Sequence, residues 1–159
     1  MQIMRKVPLA YLITFTCYGT WLHGNDRGSV DDKHNKFDTP FLDTNTERYN
    51  EARKKMKAPP LFLNEQQRTL VSTVIADVST FRNWILHECN VKTNHVHIVM
   101  SGDADPDKIM MDFKAYATRR LRESGELEQD RPVWTESGST RFLWTETSLS
   151  AAIEYVRNQ

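Results

Sequence analysis

The sequence predicts an α+β fold: a ferredoxin-like antiparallel sheet with helices packed on one face. Three observations carry that expectation. Apolar residues recur at helical spacing in three separate stretches. Short runs rich in β-branched and aromatic residues lie around and between them. Two of those runs are only a few residues apart, which suits an antiparallel pair, while helices separate the others.

The elements follow in order. Leu9 to Tyr18 is aromatic and β-branched and reads as the first strand. From about residue 19 to 60 the pattern collapses into a long insertion, punctuated by Gly24, Gly28, Pro40, Pro59 and Pro60, with a short basic helix expected at Arg48 to Lys57. A helix is expected from Asn64 to about Phe81. Asn64 is its cap, Gln67 answers three residues on, and Leu70, Val71, Val74, Ile75 and Val78 form its apolar stripe. Strands over Phe81 to Val91 and His95 to Ser101 come next. Asp105-Pro106 opens a second helix with the stripe Ile109, Met110, Phe113, Ala117 and Leu121, and Gly125 ends it. Arg131 to Thr145 is strand-like, broken at Ser137-Gly138-Ser139, and Ser148 is expected to cap a last helix. The whole chain, 1–159, reads as one domain.

Bulk properties narrow the function. No apolar run approaches the roughly 18 residues of a membrane helix, and no secretory signal is recognisable, so a cytoplasmic protein is expected. Cys17 and Cys89 sit in apolar runs and read as buried thiols. The 21 basic and 21 acidic residues cancel, so composition alone argues against a nucleic-acid partner. The charge is uneven, however. Arg48, Arg53, Lys54, Lys55 and Lys57 form one basic cluster, and Lys114, Arg119, Arg120 and Arg122 form another. Each is either a solvated face or a local attraction for phosphate.

The sharpest local motif is Asn94-His95-Val96-His97-Ile98-Val99-Met100. On a strand, His95 and His97 project from one face roughly 7 Å apart, close enough to share a divalent ion. Two satisfied surface histidines are the alternative. The second motif is Tyr116, at the edge of its helix's apolar stripe, with Asp112 and Arg120 one turn away. Such a phenol is either a nucleophile facing a phosphate or a rim residue packed on the sheet. Trp21, Trp134 and Trp144 offer rings on which unpaired bases can stack, or else partial core burial.

Together these residues resemble the IS200/IS605-like transposases, the single-tyrosine HUH family. The resemblance rests on Val91-Lys92-Thr93-Asn94-His95-Val96-His97-Ile98-Val99 and on Phe113-Lys114-Ala115-Tyr116-Ala117-Thr118-Arg119-Arg120-Leu121. It extends to Tyr11-Leu12-Ile13-Thr14-Phe15, to Arg141-Phe142-Leu143-Trp144 and to Ala152-Ile153-Glu154-Tyr155-Val156. It implies Mg²⁺ or Mn²⁺ at His95 and His97. It implies that Tyr116 attacks single-stranded DNA, leaving a 5′-phosphotyrosine and a free 3′-hydroxyl that later rejoins. Single-stranded or hairpin DNA is the implied partner, with Lys114, Arg119, Arg120, Arg53, Lys54 and Lys55 as DNA contacts, and a homodimer is an assembly the family often adopts.

One departure bears on the outcome. The family usually supplies a third metal ligand, an amide or acidic side chain, about a turn beyond the tyrosine. Beyond Tyr116 that place is Arg120, which has no lone pair to give. Glu123 is the expected substitute and Asp112 another. A decayed relative that binds hairpin DNA without cutting it is the alternative. A histidine-triad nucleotide hydrolase is disfavoured, because Val99 stands where its third histidine belongs.

Overall fold

The computed structural model describes residues 6–20 and 56–159. The elements are β1 (Ala10–Thr16), α1 (Glu65–Phe81), β2 (Ile85–Val91), β3 (His95–Ser101), α2 (Pro106–Glu123), β4 (Ser139–Leu143) and α3 (Glu146–Arg157). The four strands form one sheet in the order β2-β3-β1-β4, and every pairing is antiparallel. The α+β class and the antiparallel sheet are as expected.

Local chemistry sets the helix ends. Asn64 and Gln67 form a reciprocal capping box at α1. Asp105 caps α2 ahead of Pro106, and Gly125, at φ 79°, follows its last turn. The cap of α3 is Thr145 rather than Ser148, whose amide hydrogen-bonds the Thr145 hydroxyl. A turn through Asn83, at φ 59°, parts α1 from β2, so β2 starts later than its apolar run.

The helices do not all share one face, which corrects the expected packing. Strand residues alternate between faces. Ile13, Phe15, Val96, Ile98 and Met100 point to one side and form the main core with Val71 and Ile75 of α1 and Ile109, Phe113 and Leu121 of α2. Ala10, Val99 and Leu143 point to the other side and pack on Ala152 and Val156 of α3. The second face of the central strands is apolar at Ala10, Leu12 and Val99, so that part also needs a cover, and α3 supplies it.

Tyr18 and the segment from Lys57 to Leu61, on either side of the undescribed residues, are hydrogen-bonded to each other. The Leu61 amide donates to the Tyr18 carbonyl over 2.9 Å, and the Lys57 amide donates to the Tyr18 hydroxyl over 2.8 Å. The basic helix expected at Arg48 to Lys57 falls almost wholly outside the described residues. Among the described residues, no helix is long and apolar enough to cross a membrane.

Candidate active site

The site is built on β3. His95 and His97 lie on the face covered by α3, as Val99 does. In register, His97 faces Thr14 of β1 and Asn90 of β2, and His95 faces Thr16. The two imidazole centres stand 4.7 Å apart, edge to face.

Each ring is held by its Nδ1. That of His95 lies 2.7 Å from the Asn94 side-chain oxygen. An amide oxygen only accepts, so His95 carries its proton on Nδ1 and its lone pair on Nε2. Nδ1 of His97 lies 2.9 Å from the Thr14 hydroxyl. With that hydroxyl accepting, His97 likewise carries its lone pair on Nε2. His97 is only 6% exposed, and burial, with help from the nearby positive groups His95 and Lys92, pushes its pKa down to about 4. The ring is therefore neutral at ordinary pH, the state a metal ligand requires. This donor set fits a divalent ion.

The structure brings Tyr155, not Tyr116, to this pair. The Tyr155 ring lies 5.6 Å from the His97 ring and is 48% exposed. Three contacts dock the end of α3 here. The Asn90 amide donates to the carbonyls of Val156 (3.0 Å) and Gln159 (3.3 Å). Arg157 pairs with Glu88 of β2 at 3.0 Å. Because Asn90 is the cross-strand neighbour of His97, these bonds fix the helix terminus beside the imidazoles. Gln159, one turn beyond Tyr155, donates its side-chain amide to the Tyr155 carbonyl over 3.2 Å.

Tyr116 stands elsewhere. It is half-buried against the main core, on the far side of the sheet from the histidines, with the Arg119 guanidinium 5.3 Å from its ring centre. Within one chain the sheet separates its phenol from the imidazole pair. Glu123 is exposed near the C-terminal end of the same helix, also away from the pair, and Asp112 is tied to Arg82 and Lys108. The expected set of Tyr116, His95, His97 and Glu123 is thus not assembled in one chain. The reason is the second helical layer, which places α2 and α3 on opposite faces.

The signal for Tyr155 was present in the sequence. Four residues after the five tyrosines stand Phe15, Leu22, Arg53, Arg120 and Gln159. Only the last can ligate a hard cation through an amide oxygen.

The expected DNA contacts divide. Lys114 donates to the backbone carbonyls of Thr135 (3.0 Å) and Ser137 (2.5 Å), and burial lowers its pKa, so it is tied to the segment before β4. Arg119 and Arg120 are exposed on α2. Lys114, Thr118, Arg119 and Arg122 line a groove of about 710 Å³ there. Arg53, Lys54, Lys55 and Trp21 lie outside the described residues. Trp134 donates to Lys114 O and Thr118 Oγ1 and meets Phe15 edge-on, a packing role. Both thiols are free, and burial pushes each up to about 12.

Comparison with known proteins adds the following. The family model described as "Transposase IS200 like" matches residues 53–159. A REP-associated tyrosine transposase, solved bound to a REP hairpin, superposes with a TM-score of 0.53 at 13% identity, covering 98% of this chain and 70% of its own. A crystal structure of a transposase candidate from Deinococcus radiodurans R1 superposes with a TM-score of 0.53 at 14% identity, covering 100% of this chain and 98% of its own. At these identities the likeness is one of fold. No curated protein is significantly similar to the chain.

Proposed function

This chain belongs to the IS200-like transposase family, and we propose that it cuts and rejoins single-stranded DNA with Tyr155 as the nucleophile. The observation that carries the proposal is the Tyr155 ring 5.6 Å from His97, on the face that holds both histidines. The phenol oxygen attacks the scissile phosphorus, a phosphotyrosine bond forms, and the bond to the 3′-oxygen breaks. The phenol proton is lost and the departing oxygen gains one as the 3′-hydroxyl. Reversal by a 3′-hydroxyl rejoins strands with the bond energy conserved, so no nucleotide hydrolysis is needed.

His95 and His97 would hold Mg²⁺ or Mn²⁺ through Nε2, with the Gln159 amide oxygen as third ligand after a side-chain rotation. The ion would supply charge neutralisation at the phosphate. Asn94 and Thr14 orient the two rings, and Asn90 seats the helix that carries Tyr155. All these residues come from one chain, so a second copy is not required to complete the set. The non-cleaving alternative was motivated by Arg120 following Tyr116, and around Tyr155 that motive is gone. Hairpin DNA is the favoured partner, since one structural neighbour was solved with a REP hairpin. Arg119 and Arg120 are the described residues offered as its phosphate contacts.

A denaturing gel with end-labelled flanking single-stranded DNA and Mn²⁺ tests the assignment. A covalent adduct lost in Tyr155→Phe and kept in Tyr116→Phe is expected. Loss in Tyr116→Phe with retention in Tyr155→Phe would overturn it.

A further inference from the structure

A second feature lies away from the histidines, on the main-core face of the sheet. Tyr11, Phe142 and Trp144 form a continuous row of rings. The Tyr11 and Phe142 centres are 5.5 Å apart and the Phe142 and Trp144 centres 5.7 Å apart. Tyr11 is buried, but Phe142 is 53% exposed and Trp144 41% exposed. Large aromatic surface facing water on an edge strand needs an explanation. The first turn of α2 reaches β4 at Thr140, whose hydroxyl meets the Asp107 carboxylate over 3.3 Å. Beyond Thr140 the outward residues of that row, Phe142 and Trp144, stay about half exposed. The ammonium of Lys6 sits 5.0 Å from the Trp144 ring centre.

We propose that Phe142 and Trp144, backed by Tyr11 and flanked by Lys6, form a stacking platform for unpaired bases of the DNA strand bound at the Tyr155 site. This rests on the reading of that site as a single-strand nuclease. Charge complementarity selects the occupant. Half-exposed rings, one of them with a cation over it, match the two halves of a nucleotide, a flat base and an anionic phosphate. The carboxylates of Asp105 and Asp107 mark the other end of the row, where Asp105 raises the Tyr11 pKa and Asp107 bonds Thr140. They repel phosphate, so the backbone of the strand runs on the Lys6 side. Position also fits. Phe142 faces Tyr11, three residues before the Thr14 that bonds His97, or roughly 10 Å along β1. β4 is the edge of the sheet, so a strand leaving the active face need only round one strand to reach the platform.

Fluorescence anisotropy of the full chain with labelled oligothymidylate tests this. The double variant Phe142→Ala/Trp144→Ala should weaken binding at least about tenfold, because each stacked ring carries about 1–3 kcal/mol. Elution volume and circular dichroism should stay those of the wild type. Unchanged affinity would overturn the platform. So would a variant that loses self-association while keeping its DNA affinity, since the row would then be an interface between copies of this chain. Should the double variant misfold, photocrosslinking of wild-type protein to iodouracil-substituted DNA decides: adducts at Phe142 or Trp144 are expected, and their absence refutes the platform. The adduct gel separates the two proposals. A Tyr155 adduct with platform-independent binding sinks only the platform, and ring-dependent binding without any adduct sinks only the nuclease.

Discussion

Replacing Thr14 by valine tests whether the His97 imidazole is a metal ligand or a buried packing residue. Valine keeps the shape of threonine and removes the hydroxyl that lies 2.9 Å from His97 Nδ1. His97 is buried, so water cannot easily replace that partner. Leaving one buried polar group unsatisfied costs about 1–3 kcal/mol. In a protein of this size each 1 kcal/mol lowers Tm by about 2–4 °C. A packing histidine predicts that loss and nothing more. A metal ligand predicts a second effect, because the freed ring no longer aims Nε2. Loss of such an orienting partner typically weakens metal binding about 10–100-fold. Calorimetric Mn²⁺ titration and the Mn²⁺ dependence of adduct formation read it directly. The expected result is a weaker Mn²⁺ affinity, with adduct restored at saturating Mn²⁺. A lowered Tm with unchanged Mn²⁺ affinity would refute the ligand assignment.

Two further predictions concern charge. The His97 pKa falls from 6.5 when unfolded to about 4 when folded. A depressed folded pKa means that the unfolded state binds the proton first, so this group's contribution is full above pH 6.5 and lost as pH falls towards 4. At 1.36 kcal/mol per unit the loss is on the order of 3 kcal/mol. Urea unfolding at neutral pH and at pH 4, with chelator, should show it, and His97→Asn should flatten it; an equal slope in both proteins would contradict the burial argument. The basic residues of α2 should behave differently from one another. Arg119→Ala/Arg120→Ala should reduce the salt slope of single-strand binding by about 1.4, or about 0.7 per phosphate contact. Lys114→Met should leave that slope unchanged and lower Tm instead, since its ammonium holds the Thr135 and Ser137 carbonyls. A reduced slope in Lys114→Met would show the lysine facing DNA.

Periodicity made much of this fold legible. The capping box at Asn64, the Asp105-Pro106 start and the alternation through His95 to Met100 are short-range signals, and the structure keeps them. The histidine pair was legible for the same reason, because alternation on a strand is a local property. The partner of that pair was not. Choosing between Tyr116 and Tyr155 requires knowing which face of the sheet each helix covers, and that depends on long-range packing. Ala152 and Val156 bury against Val99 and Leu143, and this carries α3 across to the histidine face. The arginines beside Tyr116 belong to a helix whose apolar stripe packs in the other core. One spacing sets Tyr155 apart: an amide one turn after a tyrosine occurs at Tyr155 and Gln159, and at no other tyrosine of the chain.

Mass spectrometry of peptides from protein incubated with its flanking single-stranded DNA and Mn²⁺ tests the central claim most directly. A nucleotide phosphate fixed to Tyr155 is the predicted result. The same mass addition on the peptide carrying Tyr116, with Tyr155 unmodified, would contradict the account.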